Sequence, residues 1–152
     1  LNWYKARGEE FDLACCIYAT APLIRPYDLN CAVKLFDDQT DYVFSATEFS
    51  YPIARSFRLL NENKVEMFWP ENYHKRSQDL EVAYHDAGMF YFGLPRAYLE
   101  DKPLFAQYSK AYVLPHYRVQ DIDTLDDWRR ASNYYLILRQ QEHDHHEYNY
   151  SH

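Results

Sequence analysis

Glycine is scarce in this chain: its 152 residues contain only Gly8, Gly88 and Gly93. Glycines so few and so far apart form neither of the glycine-rich phosphate loops, GxGxxG or GxxxxGK[ST]. Within these residues the two commonest backbone cradles for a nucleotide phosphate are therefore excluded. Any phosphate that binds here has to be held in another way.

Positive net charge and long apolar runs are also missing. The formal net charge is −7, from 16 basic and 23 acidic side chains. An acidic balance gives no support to a broad nucleic-acid surface. No apolar run approaches the about 20 residues of a membrane span, and the polar first residues do not resemble a signal peptide. We expect a cytoplasmic protein that binds neither nucleic acid nor membrane.

Cysteine is limited to Cys15, Cys16 and Cys31. Their number is odd, and no CxxC spacing occurs, so a disulfide framework or a cysteine metal site is disfavoured. The first two lie within an apolar run. We therefore expect buried, reduced thiols.

Aromatic residues, by contrast, make up 18% of the chain. Their large apolar surface and polar edge suit both core packing and contacts to sugars or bases. The length is that of one domain with a real core. We expect a single domain over residues 1–140 and a polar, disordered tail over 141–152.

Apolar segments of strand length alternate with segments of helical period. The strands are expected at residues 13–18, 42–47, 87–93 and 110–115, and the helices at 28–36, 94–100 and 124–139. This alternation predicts an α/β fold with a mostly parallel sheet and flanking helices, and the first strand is expected to be buried. In such sheets ligands bind beyond the carboxyl ends of the strands.

An excursion interrupts this alternation. The segments "SFRLL" and "KVEMF" alternate in polarity around a turn at residues 61–63, which predicts a β-hairpin. The polar stretch "ENYHKRSQDLEVAYHDA" that follows is expected to be an ordered loop.

Asp121 and Asp123 lie two residues apart, just before the last helix. In an extended segment such residues point to the same side, so their charges repel unless a cation offsets them. Helix capping is the alternative, but Thr124, with Asp127 in a capping-box arrangement, can already serve as the cap. The pair is therefore a candidate Mg²⁺ site of the kind used in phosphoryl or nucleotidyl transfer.

The turn Thr20, Ala21 and Pro22 directly follows the first strand. It can present backbone N–H groups and a hydroxyl at the sheet edge, or it can be a plain connection. Because it follows a strand end, as Asp121 does, both are expected to converge on one cleft.

The polar loop carries its own candidates for ligand binding. Lys75 and Arg76 can grip a carboxylate or phosphate, and Gln78 can bond to hydroxyls; a solvated loop is the alternative. His85, next to Asp86, is either an oriented base or a structural histidine.

Four segments together carry a family resemblance: "CCIYATAPLIRPYDL", "DYVFSATEFSYPIARSF", "VEMFWPENYHKRSQDLEVAYHDAGMFYF" and "YRVQDIDTLDDWRRA". Through them the chain resembles the CMP-nonulosonic acid synthetases over about residues 12–135. It is most similar to the pseudaminic acid cytidylyltransferases among them, which are relatives of the CMP-sialic acid synthetases.

The resemblance implies a fold of the nucleotide-diphosphosugar transferase type. It implies a reaction in which CTP and a nonulosonic acid give a CMP-sugar and pyrophosphate with Mg²⁺. It also implies a homodimer, with the hairpin and the following loop reaching toward the partner subunit.

The resemblance further implies residue roles. Asp121 and Asp123 match the metal-binding aspartates, and Arg76 is implied in catalysis. The match to the nucleotide and sugar sites comprises Tyr18, Thr20, Ala21, Pro22, Lys75, Gln78, Asp86 and Tyr91. Tyr18 replaces a glutamine of the sialic acid enzymes, and Asp86 replaces an asparagine; both differences favour pseudaminic acid.

The resemblance also implies a basic, glycine-containing triphosphate loop in the family's N-terminal segment, and residues 1–152 are not expected to supply it. A catalytically incomplete fragment, acting only in sugar binding or dimerisation, is therefore the alternative function. A 3-deoxy-manno-octulosonate cytidylyltransferase is a second alternative, although it is expected to lack "RSQDL…YHDAG".

Overall fold

The computed structural model describes the backbone of residues 1–149 and the side chains of residues 1–140. The strands in this part of the chain are β1 (Ala14–Ile17), β2 (Tyr42–Glu48), β3 (Phe57–Leu59), β4 (Val65–Met67), β5 (Tyr84–Gly93) and β6 (Ser109–Leu114). The α-helices are α1 (Asn2–Lys5), α2 (Pro26–Val33), α3 (Pro95–Leu99) and α4 (Leu125–Asn149). The expected tail over 141–152 lies partly outside the described residues and stays a prediction.

The main sheet has the strand order β1-β5-β2-β6. Strand β5 is antiparallel to both of its neighbours, and only β2 and β6 pair in parallel. The α/β class is confirmed as a mixed sheet with flanking helices, but the prediction of a mostly parallel sheet is wrong. Glu48 at the end of β2 pairs with Tyr84 at the start of β5. The segment between β2 and β5 therefore leaves and re-enters the sheet at the same end of these two strands. For this reason β5 runs antiparallel to β2.

The core lies around the two central strands. All residues of β2 from Tyr42 to Thr47 are buried. On one sheet face, Val43, Phe90 and Phe92 pack with Ala32 of α2 and Leu138 of α4. A smaller cluster of Phe44, Ala46 and Tyr91 forms on the opposite face. Two helices therefore cover one face more completely than the other.

The predicted hairpin is confirmed. Strands β3 and β4 pair antiparallel, with Phe57 opposite Met67 and Leu59 opposite Val65, and they form a separate sheet. The segment after the hairpin contains the 3-10 turns Pro70–Asn72 and Ser77–Asp79. It is less extensive than predicted, because residues 84–87 already belong to β5.

Strand β1 lies at one edge of the main sheet, contrary to the prediction of a buried strand. Only β5 pairs with it among the described residues. Cys15, Cys16 and Ile17 are exposed, and Cys31 is half-buried. The expectation of buried thiols is therefore wrong for the first two cysteines. An apolar run indicates a strand, but it does not indicate that the strand has a neighbour on each side.

No helix in the described part of the chain is long and apolar enough to cross a membrane.

The thiol of Cys15 is predicted to react slowly despite the open edge. Partial burial of the thiol, followed by repulsion from Cys16, raises its pKa from 9.0 to about 11. The thiolate is the reactive form. Alkylation of Cys15 by iodoacetamide, followed by peptide mass spectrometry, is therefore expected to be slow at pH 7.5 and to accelerate about tenfold per pH unit up to about pH 11. A rate that is already maximal at pH 8 would contradict the shift.

Candidate functional site

A cavity of about 500 Å³ lies at the sheet end where β1 terminates. It is lined by the residue after β1, the first part of β5 and the segment that follows β6: Tyr18, His85, Asp86, Ala87, Gly88, Tyr91, Val119, Gln120 and Asp121. Four of the residues predicted from the sequence therefore meet in one place, namely Tyr18, Asp86, Tyr91 and Asp121. The turn at residues 20–22, which was expected to converge with Asp121, does not line this cavity; the residue after β1 that lies there with Asp121 is Tyr18.

One wall of the cavity is a pair of tyrosines backed by a carboxylate. The ring centroids of Tyr18 and Tyr91 lie 5.2 Å apart. The hydroxyl of Tyr91 donates to Asp86 Oδ2 at 2.6 Å. Burial, and then this hydrogen bond to Asp86, raises the pKa of Tyr91 above its usual value. The phenol therefore remains a neutral donor at physiological pH.

The carboxylate of Asp86 is engaged on both oxygens. While Oδ2 accepts from Tyr91, Oδ1 accepts from the backbone N–H of Gly88 at 2.8 Å. An aspartate bound in this way fixes the shape of the cavity wall. Its lone pairs still allow further contacts, so the expected role in substrate binding stays a prediction.

Gly88 brings the backbone of β5 close to Asp121. Its φ of 62° lies in the left-handed region, which favours glycine. A Cβ atom at this position would lie 3.6 Å from Asp121 Oδ2. The carboxylate of Asp121 therefore faces the backbone at Gly88 across the cavity.

This conformation belongs to a β-bulge. Phe44 of β2 pairs with Tyr91, and Ala46 pairs with Asp86. Two steps along β2 thus correspond to five steps along β5 (44 to 46 against 91 to 86). The four residues 87–90 of β5 therefore lie opposite Ser45 alone and leave the ladder with β2, although Phe90 still pairs with Ile17 of β1. Bulges are frequent beside active sites.

The N-terminal cap of α4 does not use the side chains of Asp121 or Asp123. Thr124 Oγ1 donates to Asp127 Oδ2 at 2.7 Å, and the Asp127 N–H donates back to Thr124 Oγ1 at 3.2 Å. The bond from the Thr124 side chain is the largest contribution to the lowered pKa of Asp127. The capping prediction is confirmed, and it follows that helix capping does not explain the carboxylates of Asp121 and Asp123.

The two carboxylates have few protein partners. Asp121 Oδ1 accepts from the N–H of Ile122 at 3.0 Å. Asp123 is exposed, and its own backbone N–H donates to Asp127. Among the described side chains, no lysine or arginine forms an ion pair with either carboxylate.

This donor set fits a hard divalent cation whose shell is shared with a ligand. No group of three or more histidine, cysteine, aspartate or glutamate side chains within the described residues is arranged to hold a metal on its own. Two carboxylates can nevertheless hold Mg²⁺ when phosphate oxygens and water complete the shell. Asp123 does not line the cavity beside Asp121, so its place in such a site stays a prediction.

A buried ion pair joins the segments that carry the cavity walls. Arg118 donates from both terminal nitrogens to the carboxylate of Asp28, one bond being 3.0 Å long. Asp28 is 1% exposed and Arg118 is 8% exposed. Arg118 directly precedes the segment Val119–Asp121, and Asp28 lies in the first turn of α2, which follows Tyr18 by one loop.

The turn after β1, at residues 20–22, does not line the cavity. Ala21 is buried in the core, and its N–H donates to the Tyr18 carbonyl at 3.1 Å. Pro22 lines a separate apolar groove with Ile122 and Trp128. Thr20 does not line the cavity. The amide of Ala21 is therefore already used within the turn, while ligand contacts by these residues stay predictions.

The basic loop also lies outside the cavity. Lys75, Arg76 and Gln78 are exposed, and none of them lines it. Arg76 forms two bonds to Asp79, from Nε at 2.8 Å and from a terminal nitrogen at 3.0 Å. Its guanidinium is thus already paired with Asp79 at the surface, and its role as an anion ligand remains a prediction.

His85, which the sequence offered as an oriented base or a structural histidine, lines the cavity, as do Gln120 and Gly88, which the sequence analysis did not name as ligands. His85 packs its ring 4.7 Å from Phe49, and its Nδ1 lies 2.8 Å from the Asp86 carbonyl, not from the Asp86 carboxylate. Gln120 donates to the carbonyl of Asp121 at 2.7 Å. Gly88 had one available signal, a lone glycine inside a strand, which often marks a bulge.

Replacing Gly88 by alanine is expected to lower the free energy of unfolding by about 1–2 kcal/mol, because a Cβ atom strains a left-handed residue. Urea denaturation of both variants measures the change. Gly8→Ala is the control: Gly8 also has a positive φ, with nothing within 4 Å of the added atom. A smaller loss is expected there, since the chain end can relax. Wild-type stability of Gly88→Ala would contradict a fixed bulge.

Comparison with known proteins points to one group of enzymes. No family model matches the chain. The chain is 45% identical, over 134 residues, to "Pseudaminic acid cytidylyltransferase" from each of two strains of Campylobacter jejuni subsp. jejuni. It is 42% identical over 113 residues to the "Pseudaminic acid cytidylyltransferase and UDP-2,4-diacetamido-2,4,6-trideoxy-beta-L-altropyranose hydrolase" of Helicobacter pylori.

These matches cover unequal shares of the proteins compared. The Campylobacter alignments include 88% of this chain but 58% of each relative. The Helicobacter alignment includes 73% of this chain and 22% of that relative. The chain thus spans somewhat more than half the length of the two Campylobacter proteins.

Proposed function

The chain belongs to the pseudaminic acid cytidylyltransferase family, and on this premise we propose that it acts in the transfer of CMP from CTP to a nonulosonic acid. Pyrophosphate is the second product of this reaction. Three relatives at 42–45% identity carry this activity in their names. That agreement favours an enzyme over the alternative of a non-catalytic fragment.

The observation that carries the proposal is the position of Asp121. Its carboxylate lines the cavity opposite Gly88 and has no cationic partner among the described residues. A carboxylate in this position raises the local concentration of a cation, not of an anion. A substrate triphosphate therefore needs a metal ion between itself and this wall.

Asp121 and Asp123 would hold Mg²⁺, whose charge, when bound, offsets the charge that develops on the reacting phosphates. The remaining contribution of the chain is positioning. Tyr18 and Tyr91 provide an aromatic wall with a neutral phenol donor, a surface suited to the apolar face and hydroxyls of a sugar. Positioning of two reactants is among the largest sources of catalytic rate.

Arg76, with Lys75 and Gln78, is proposed to contact the sugar acid from the loop after the hairpin. Its guanidinium forms an exposed pair with Asp79, and the planar fork of arginine suits a carboxylate. Because this loop lies outside the cavity, the contact requires either movement of the loop or a contribution from a second copy of the chain.

Pseudaminic acid is proposed over sialic acid as the sugar. The Tyr91 phenol is bonded to Asp86, and Tyr18 packs against the same ring. Tyr18 and Asp86 are the two positions at which the chain departs from the sialic acid enzymes, and they lie on one wall. A change of sugar specificity is therefore expected to act through this wall.

Homodimer formation through the hairpin is proposed on the basis of its surface. Phe57, Leu59 and Val65 are each more than half exposed, although the hairpin forms its own two-stranded sheet. An isolated hairpin is marginally stable in water, and clustered exposed apolar residues mark interaction surfaces. A second copy of the chain would cover this face.

Asp121→Asn and Asp123→Asn are each expected to lower kcat by about a hundredfold or more, as loss of one charge-stabilising group typically does, and to raise the Mg²⁺ concentration needed for half-maximal rate. Pyrophosphate release from CTP and pseudaminic acid by the complete gene product measures both. Asp126→Asn is the matched control, because Asp126 is exposed and pairs with Arg129. Near-normal turnover of Asp121→Asn at low Mg²⁺ would remove the metal assignment.

A Leu59→Glu/Val65→Glu variant is expected to dissociate the dimer, because two charges would then enter an apolar interface. Light scattering coupled to size-exclusion chromatography measures the mass. Arg58→Gln/Glu66→Gln alters the cross-strand pair on the opposite face of the hairpin and is expected to stay dimeric. A monomeric wild type, or a dimeric Leu59→Glu/Val65→Glu variant, would refute this interface.

A further inference from the structure

We propose that Ser45 is a positioning residue of the cavity. Its hydroxyl holds the β-bulge of residues 87–90 and thereby sets the position of Gly88 opposite Asp121. Where it concerns catalysis, this inference rests on the proposed function. Where it concerns the bulge itself, it rests on the contacts of Ser45 alone.

The Ser45 hydroxyl makes three contacts with the bulge. It accepts from the backbone N–H groups of Met89 and Phe90, each at 3.1 Å, and donates to the Phe90 carbonyl at 3.3 Å. Ser45 itself is 0% exposed. One side chain of β2 therefore replaces the ladder partners that the register shift between Phe44 and Ala46 removes.

These contacts matter because the bulge lies in the core. Met89 is 1% exposed and Phe90 is 0% exposed, so water cannot readily replace a lost partner of their amides. A buried N–H group without a partner is strongly disfavoured. Without the hydroxyl, residues 87–90 are expected to shift until both amides find other acceptors.

Such a shift would reach all three walls of the cavity. The Met89 carbonyl accepts from the N–H of Tyr18 at 3.0 Å, so the bulge also fixes the residue that follows β1. Gly88 is held by Asp86 on one side and faces Asp121 on the other. A single hydroxyl is thus linked through the bulge to Tyr18, Asp86 and Asp121.

Thr47 offers a matched control on the same strand. It is 2% exposed, and its hydroxyl donates to the Leu114 carbonyl of β6 at 2.8 Å. Replacing it by valine removes one buried hydroxyl and its hydrogen bond, as Ser45→Ala does, but on the side of β2 away from the bulge. Loss of stability alone should therefore affect both variants, whereas loss of cavity geometry should affect only Ser45→Ala.

The experiment compares Ser45→Ala and Thr47→Val in the complete gene product, with each variant assayed well below its own Tm. Hydrogen exchange of the Met89 and Phe90 amides is expected to be at least about tenfold faster in Ser45→Ala than in Thr47→Val. The kcat/KM for CMP transfer is expected to fall about tenfold to a hundredfold in Ser45→Ala. In Thr47→Val it should fall less than about threefold.

Equal exchange at residues 89 and 90 in the two variants would overturn the proposal, as would equal losses of kcat/KM. If Ser45→Ala does not fold, Ser45→Cys, which keeps a weaker donor and acceptor of similar size, is compared with Thr47→Val by the same criteria. If the wild type transfers no CMP, the proposed function fails, and the exchange comparison alone then decides whether Ser45 holds the bulge.

Discussion

The buried pair of Asp28 and Arg118 is the interaction on which the cavity depends. Asp28 accepts from Arg118 on both oxygens, from the Tyr112 hydroxyl at 3.3 Å and from the Arg25 N–H at 3.2 Å. Removing one partner of such a pair typically costs about 3–5 kcal/mol, whereas an exposed pair such as Arg129 and Asp126 contributes about 0–1 kcal/mol. The buried pair therefore joins the start of α2 firmly to the turn that follows β6. It thereby holds the connection between Tyr18 and α2 next to the cavity segment that begins at Val119.

Local pattern predicted the elements but not their directions or their neighbours. Apolar and alternating segments predicted the strands β2, β5 and β6 and, together with the turn residues, the hairpin. Capping chemistry predicted the cap of α4 by Thr124. All of these signals act within a few residues. The antiparallel course of β5 depends on where the excursion after β2 rejoins the sheet, which no local pattern contains. The exposure of Cys15 and Cys16 likewise depends on which strands flank β1.

The candidate site was predictable to a similar extent. Tyr18 and Asp121 follow the carboxyl ends of β1 and β6, which run in the same direction, so the rule for strand ends applies to these two residues. Asp86 and Tyr91 lie on the antiparallel strand β5 and were expected in the site only through the family resemblance. Ser45 gave no sequence signal, because a serine inside an apolar strand suggests only a satisfied hydroxyl. Its role arises from the register of two strands that are 45 positions apart at the Ser45–Phe90 contact. Contacts of that range cannot be inferred from local spacing.

The two carboxylates of the cavity differ in what their surroundings leave unsatisfied. Asp86 receives a phenol and a backbone N–H, so much of its charge is offset by donors that belong to the wall. Asp121 receives one N–H from its neighbour Ile122 and faces Gly88, whose lack of a side chain leaves the approach open. The uncompensated negative potential is therefore concentrated at Asp121. A cation entering the cavity would gain most there, which supports the proposal that a metal-bound phosphate approaches on the side of Asp121 and the sugar on the tyrosine wall.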